Sequence, residues 1–197
     1  MTPLFPQFTH LFNSQLRSIQ SSSTSSIHQL AALFDRWIPA HLLSQSDDGP
    51  HSRRRRWSFR LVFWTASWQF AQAGASCRTA IRQAQAWCLQ SNQTPPPSET
   101  SPYCQARAVL PLERLQQIHD HLVREAEQAI ASKDLWCGRR VQVIDGTTLC
   151  AADTAANQTA FPQQSVQKPG CGFPILRLLA VMSLSTGMIV AWAKDSL

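Results

Sequence analysis

The sequence predicts an α+β protein, with helices in front and strands behind. Two observations carry that expectation. In the front part, apolar residues recur at intervals of three and four, at Ile27, Leu30, Ala31, Phe34 and Ile38, and again at Trp57, Leu61, Trp64 and Trp68. That is the repeat of a helix with one buried face. From Arg139 onward the pattern changes to short β-branched and apolar stretches separated by turn residues, the two-residue period of strands.

The elements follow in order. Residues 9–20 read as a short helix, and the serine-rich stretch 21–26 as a break. Ser26 has the chemistry of an N-cap for the helix that carries Ile27, and Pro39 bends or ends that helix. Residues 43–52 read as a loop with Asp48-Gly49-Pro50 as its turn. Arg53, Arg54, Arg55 and Arg56 then open an apolar, tryptophan-rich helix. Ser76 suits the cap of the next helix, whose stripe is Ala80, Ile81, Ala84, Trp87 and Cys88. Residues 91–102, with Pro95-Pro96-Pro97 amid Ser, Thr, Gln and Asn, read as a linker. The expected layout is therefore a helical region at 1–90, a linker at 91–102 and a second domain at 103–197.

In the second domain, residues 103–110 begin a helical segment. Pro111 suits the first turn of the longest helix, which is expected to reach about Ser132 with Leu112, Leu115, Ile118, Leu122, Ala126 and Ala129 buried. A strand over 139–149 carries Asp145 at its C-terminal end, and Gly146 follows, permitting close approach or an unusual backbone angle. Residues 151–172 form a polar excursion. Strands over 174–183 and 188–193, joined by a Ser185-Thr186-Gly187 turn, pair as a hairpin.

Charge is unevenly placed. The chain has 197 residues and a formal net charge of +6. Residues 1–98 hold nine arginines against three aspartates, and residues 99–197 balance nine bases with nine acids, so the whole excess lies in front. This favours an anionic partner, nucleic acid or a membrane surface. The six cysteines, at 77, 88, 104, 137, 150 and 171, include no CxxC pair, which points away from zinc and toward reduced thiols in a cytosol. The N-terminus has no basic region before an apolar block, as a secretory signal would, and the longest apolar run is too short for a bilayer. The histidines are scattered, and no nucleophile–histidine–acid arrangement or phosphate-binding glycine loop is visible.

Guanidinium groups fork onto phosphate oxygens, so Arg53, Arg54, Arg55 and Arg56, with Arg60, Arg78 and Arg82, make a candidate DNA footprint. Arg78 and Arg82, four apart, share one helix face. The tryptophans at helical spacing read as core rather than as base-stacking platforms. Asp145, beside a glycine, is a candidate ligand for a divalent metal.

Four blocks, in order, resemble the DDE transposases of bacterial insertion sequences, in the group named for insertion sequence four. They are Arg53 to Trp57 running into the tryptophan-rich helix and then Ser76-Cys77-Arg78; Tyr103-Cys104-Gln105-Ala106-Arg107 with Leu110-Pro111; Ile144-Asp145-Gly146-Thr147-Thr148; and Asn157, Phe161-Pro162, the stretch 167–174, Arg177 and the turn at 184–187. The resemblance covers roughly residues 50–190. It implies a helical DNA-binding front and a ribonuclease-H-like catalytic domain, with Asp145 as the first acid of the DDE triad and a ligand of magnesium or manganese. It adds Lys168 and Arg177 to the candidate DNA contacts. The implied activity is metal-dependent cleavage of element ends and their transfer to target DNA, and the implied partners are double-stranded DNA and a second copy or a full-length enzyme, in a bacterial cytoplasm.

The sequence departs from that pattern where the second Asp and the final Glu belong. Fifty-two residues follow Asp145, and among them Asp153 and Asp195 lack the family's context. The chain therefore reads as a truncated transposase, an incomplete ribonuclease-H-like domain holding only its first three antiparallel strands, inactive alone. The sheet is expected to have an open edge at its first strand and a face without its cover. The rival expectation is a non-catalytic DNA-binding regulator of transposition.

Overall fold

The computed structural model describes residues 26–35, 37–44, 56–163, 166, 168, 170 and 172–196. The described residues fall into two compact units, one reaching Glu125 and the other starting at Ala126. The first is helical. The second contains an antiparallel sheet, so the α+β expectation holds. The expected helix at 9–20 and residues 45–52 of the loop expected at 43–52 lie outside the described residues, as do Arg53, Arg54 and Arg55, while Leu43 is helical.

The helical unit is built from α1 (Ile27–Phe34), α2 (Ala40–Leu43), α3 (Phe59–Ala71), α4 (Cys77–Gln90), α5 (Thr100–Ala108) and most of α6 (Leu112–Gln128). Local chemistry sets the helix starts. Ser26 accepts from the Gln29 backbone N–H while the Gln29 side chain reaches back to the Ser26 N–H, a reciprocal capping box. Ser58 and Ser76 cap α3 and α4 through the N–H groups of Leu61 and Thr79. The Ser76 side chain is exposed and its cap bond is 3.1 Å. Ser76→Ala is therefore expected to cost about 1 kcal/mol, read as a lower midpoint in thermal or urea unfolding.

Helix α3 is the spine of this unit. Phe59, Leu61, Val62, Trp64, Ala66 and Trp68 are buried along it. Its one buried hydroxyl, Thr65, donates to the Leu61 carbonyl one turn back and so is satisfied within the helix. Helices α1, α4 and α5 pack around it through Ile27, Leu30, Ala80, Ile81, Ala84 and Tyr103. Arg114 on α6 donates to the Ser44 carbonyl at 2.7 Å, and its guanidinium sits over the Phe59 ring at 4.7 Å.

Several expectations need correction here. The arginine run does not begin the tryptophan-rich helix. Trp57 precedes the cap, yet it is buried against Tyr103 with ring centroids 4.9 Å apart. Residues 91–102 are not a free linker. The Arg56 guanidinium donates to the Pro95 carbonyl and the Gln85 amide to the Pro96 carbonyl, which straps the proline stretch onto the helices. The helical unit accordingly runs on through α5 and most of α6, and the division falls inside α6 rather than in the proline stretch. Helix α6 ends at Gln128, short of Ser132, and of its expected stripe Ile118 is buried while Leu112 is 65% exposed.

The second unit holds β1 (Gln142–Cys150), a short helix α7 (Ala155–Ala160), β2 (Ile175–Ser183) and β3 (Ile189–Ser196). The sheet is an antiparallel meander in the order β1-β2-β3. Upstream, Trp136 and Arg139 exchange both backbone hydrogen bonds across Cys137 and Gly138. Both central residues have positive φ, 50° and 74°, the primed-turn geometry that glycine adopts at least cost. The β2–β3 turn is held by Ser185, which donates to the Asp134 carbonyl, and by Thr186, which donates to Glu127.

Asp145 is not at the strand's end. It is the fourth of nine residues in β1, because the two threonines that follow Gly146 continue the ladder. Nor does Gly146 mark an unusual angle. A side chain there would meet Leu179 Cδ1 at 3.6 Å and the Leu178 carbonyl at 3.7 Å, ordinary contact distances.

Candidate functional site

Helix α4 buries Ala80, Ile81, Ala84 and Cys88 and so turns Arg78 and Arg82 outward, one turn apart. Both are exposed, and neither has an ion-pair partner among the described residues. The other described candidate arginines of this unit, Arg56 and Arg60, are engaged. Arg60 pairs with Asp35 at 3.4 Å and lies 5.9 Å from the Trp87 ring centroid, and Arg56 holds Pro95. Arg60, Asp35 and Trp87 help line a cleft of about 240 Å³. Lys168 and Arg177 belong to the sheet unit and are both exposed. Lys168 lies in the excursion, where its carbonyl accepts from Gln163. Arg177 is on β2, paired with Thr148 on one side and Asp195 on the other.

Beneath the α4 terminus lies a polar cluster that sequence reasoning missed. Gln69 on α3 uses its whole amide. Its Oε1 accepts from the Tyr103 hydroxyl at 2.8 Å and from Arg107 at 2.9 Å, and its Nε2 donates to the Ala75 carbonyl at 3.1 Å and to Cys77 Sγ at 3.6 Å. The Cys104 thiol in turn donates to Cys77 Sγ across 3.8 Å. Tyr103, Cys104 and Arg107 stand in one of the sequence blocks singled out above, but nothing local to that block marks Gln69, some 34 residues away, as their partner.

On the sheet, register decides which side chains share a face. Asp145 is paired with Ala180, and Ala180 with Trp192. One step along, Thr147, Leu178 and Lys194 are aligned. These residues occupy one face. Asp145 is exposed, and its Oδ1 accepts from the Gly146 N–H at 2.8 Å. Lys194, on the same face, lies over the Phe161 ring at 5.8 Å. Asp195 is aligned with Arg177 and Thr148, on the opposite face and two strands away, about 10 Å in the pairing direction alone. Asp153 lies beyond β1, where it accepts from the Gln158 amide at 2.9 Å.

A magnesium-type ion takes oxygen ligands at about 2.0–2.1 Å, and a two-metal centre needs several carboxylates converging on one point. Among the described residues no group of three His, Cys, Asp or Glu side chains comes together. The donors present do not make up such a centre around Asp145.

Apolar side chains are exposed on both faces of the sheet. Val143, Leu149 and Trp192 lie on the Asp145 face, and Ile144 and Leu179 on the other. Among the described residues, strands β1 and β3 each keep an open edge. Among the described residues no helix is long and apolar enough to cross a membrane. No protein-family model, curated protein or solved structure matches the chain.

Proposed function

We propose that the chain is the DNA-binding and first-strand portion of a DDE transposase, a ribonuclease-H-like enzyme of insertion-sequence movement. The observation that carries this reading is the antiparallel β1-β2-β3 meander whose first strand holds one acid, the exposed Asp145, near its middle. An antiparallel sheet can leave a polar face to water but must bury its apolar ones, and here both faces expose apolar side chains. That supports a catalytic layer awaiting further elements. In the completed enzyme, Asp145 would supply one ligand of a magnesium or manganese centre, whose remaining carboxylates the described residues do not provide. The helical unit would hold double-stranded DNA by its phosphates, with Arg78 and Arg82 as the free contacts of α4. Phosphate contacts give affinity and register without sequence choice.

The solitary carboxylate also favours a second reading: a non-catalytic DNA-binding regulator that occupies element ends or pairs with a full-length enzyme. Both readings predict salt-dependent retention of duplex DNA in a gel shift, and its absence would remove both. Nicking separates them. Purified chain is assayed with supercoiled DNA and magnesium, alone and mixed with a full-length transposase of the same class. Asp145→Ala is expected to leave DNA retention unchanged, because among the described residues its side chain bonds only its own strand. Nicking that appears in the mixture and disappears with Asp145→Ala supports the catalytic portion. Inhibition of the full-length enzyme, equal for wild type and variant, supports the regulator.

A further inference from the structure

We propose that Cys77 and Cys104 are a redox-active thiol pair that closes to an intramolecular disulfide when the protein meets peroxide. The two sulfurs are 3.8 Å apart, Cys104 donating to Cys77. A disulfide bond is about 2.05 Å long, so less than about 2 Å of closure remains. Both thiols are partly exposed, which admits a small oxidant. They sit on different helices, Cys77 in the first turn of α4 and Cys104 within α5, so the bond would join elements that sequence separates by 27 residues. No other pair of described cysteines shares a hydrogen bond: Cys88 is buried alone in the core, and Cys137 and Cys150 are exposed in the sheet unit.

The surroundings divide the roles between the two sulfurs. Cys77 is the first residue after the Ser76 cap, where unpaired helix N–H groups favour negative charge. The hydrogen bond from Gln69, then that from Cys104 and the nearby Arg107 charge, hold the Cys77 thiol below its ordinary pKa against some burial. Burial, then the bond and charge of Cys77, push the Cys104 thiol up. Cys77 thus ionises more readily than Cys104 and is the attacking sulfur, with Cys104 the thiol that resolves it.

The chemistry balances with hydrogen peroxide as oxidant. The Cys77 thiolate attacks one peroxide oxygen and the O–O bond breaks. Hydroxide leaves and takes a proton, and Cys77 becomes a sulfenic acid. The Cys104 sulfur then attacks the Cys77 sulfur and the S–O bond breaks. The departing hydroxide leaves as water with the Cys104 proton. Two thiols and one peroxide give one disulfide and two waters, and a thiol reductant reverses it by exchange.

The test uses the full chain, reduced, desalted and treated with stoichiometric hydrogen peroxide. Remaining thiols are then alkylated and the unreduced digest is analysed by mass spectrometry. The expected result is one cross-linked peptide pair, Cys77 with Cys104, reversed by dithiothreitol. Closing the 27-residue loop is expected to raise Tm by roughly 10 °C. Cys104→Ser is expected to stop at a dimedone-trappable sulfenic acid on Cys77. Cys77→Ser is expected to slow oxidation of Cys104 by roughly tenfold or more. Oxidation spread over Cys137 and Cys150, Cys77 in the wild type proceeding to sulfinic acid without a cross-link, or wild type and Cys77→Ser losing the Cys104 thiol at the same rate would each overturn the proposal. The outcome does not depend on whether the helical unit binds DNA.

Discussion

Trp64→Ala is expected to destabilise the helical unit by about 3–5 kcal/mol, a large part of the roughly 5–15 kcal/mol that holds a domain folded. Trp64 is 2% exposed at the centre of α3, with the Phe63 ring at 5.0 Å and the Phe34 ring at 6.3 Å. Removing the indole leaves a cavity among Phe34, Phe63 and their neighbours that α1 and α4 cannot close without moving. The indole also carries a cost. Its Nε1 is buried with no hydrogen-bond partner among the described residues. An unpaired buried donor costs about 1–3 kcal/mol. Trp64→Phe removes that donor while filling most of the space, so its loss is expected to be less than half that of Trp64→Ala. Urea unfolding followed by far-ultraviolet circular dichroism checks both, with an unchanged denaturant slope as the sign that the folded state is otherwise intact. Equal losses for the two variants would show that the indole nitrogen is satisfied after all.

The second large effect concerns DNA. The double variant Arg78→Ala with Arg82→Ala is expected to weaken duplex retention by on the order of tenfold or more, and to lower the slope of log affinity against log salt by about 2. Both side chains are exposed, so the loss carries no folding component. Arg60→Ala is the informative contrast. Its guanidinium is held by Asp35 and lies against Trp87, so the substitution is expected to leave the salt slope nearly unchanged. Fluorescence anisotropy with a labelled duplex at rising potassium chloride measures all three proteins. A slope unaffected by the double variant would mean that DNA, if bound, meets another face. No salt-dependent binding by any of them would end the nucleic-acid reading.

Much of the fold was legible along the chain. Ser26 and Ser76 announce their helices because a cap is a side chain satisfying backbone groups three residues away. The stripes of α3 and α4 and the three strands are visible because burial on one face imposes a period. The ends were less legible. Residues 91–102 have linker composition, but the carbonyls of Pro95 and Pro96 are fastened by Arg56 and Gln85, 39 and 11 residues away. Trp57 looked like a helix position because a buried residue just ahead of a cap falls on the same stripe.

What the sequence determined by itself is the local order: which segments are helical, where they start, where three strands fall, and that the positive charge gathers in front. These follow from periods and from hydrogen bonds within a turn, physics of three or four residues' reach. Tertiary structure alone decided the chemistry. It separated Arg78 and Arg82, left to solvent, from Arg60 and Arg56, held by neighbours. Through strand register it set Asp145 and Asp195 on opposite faces, and it brought Gln69, Cys77, Cys104 and Arg107 into one cluster. The reason is the same in each case: those contacts join residues far apart in the chain, and only packing brings them together.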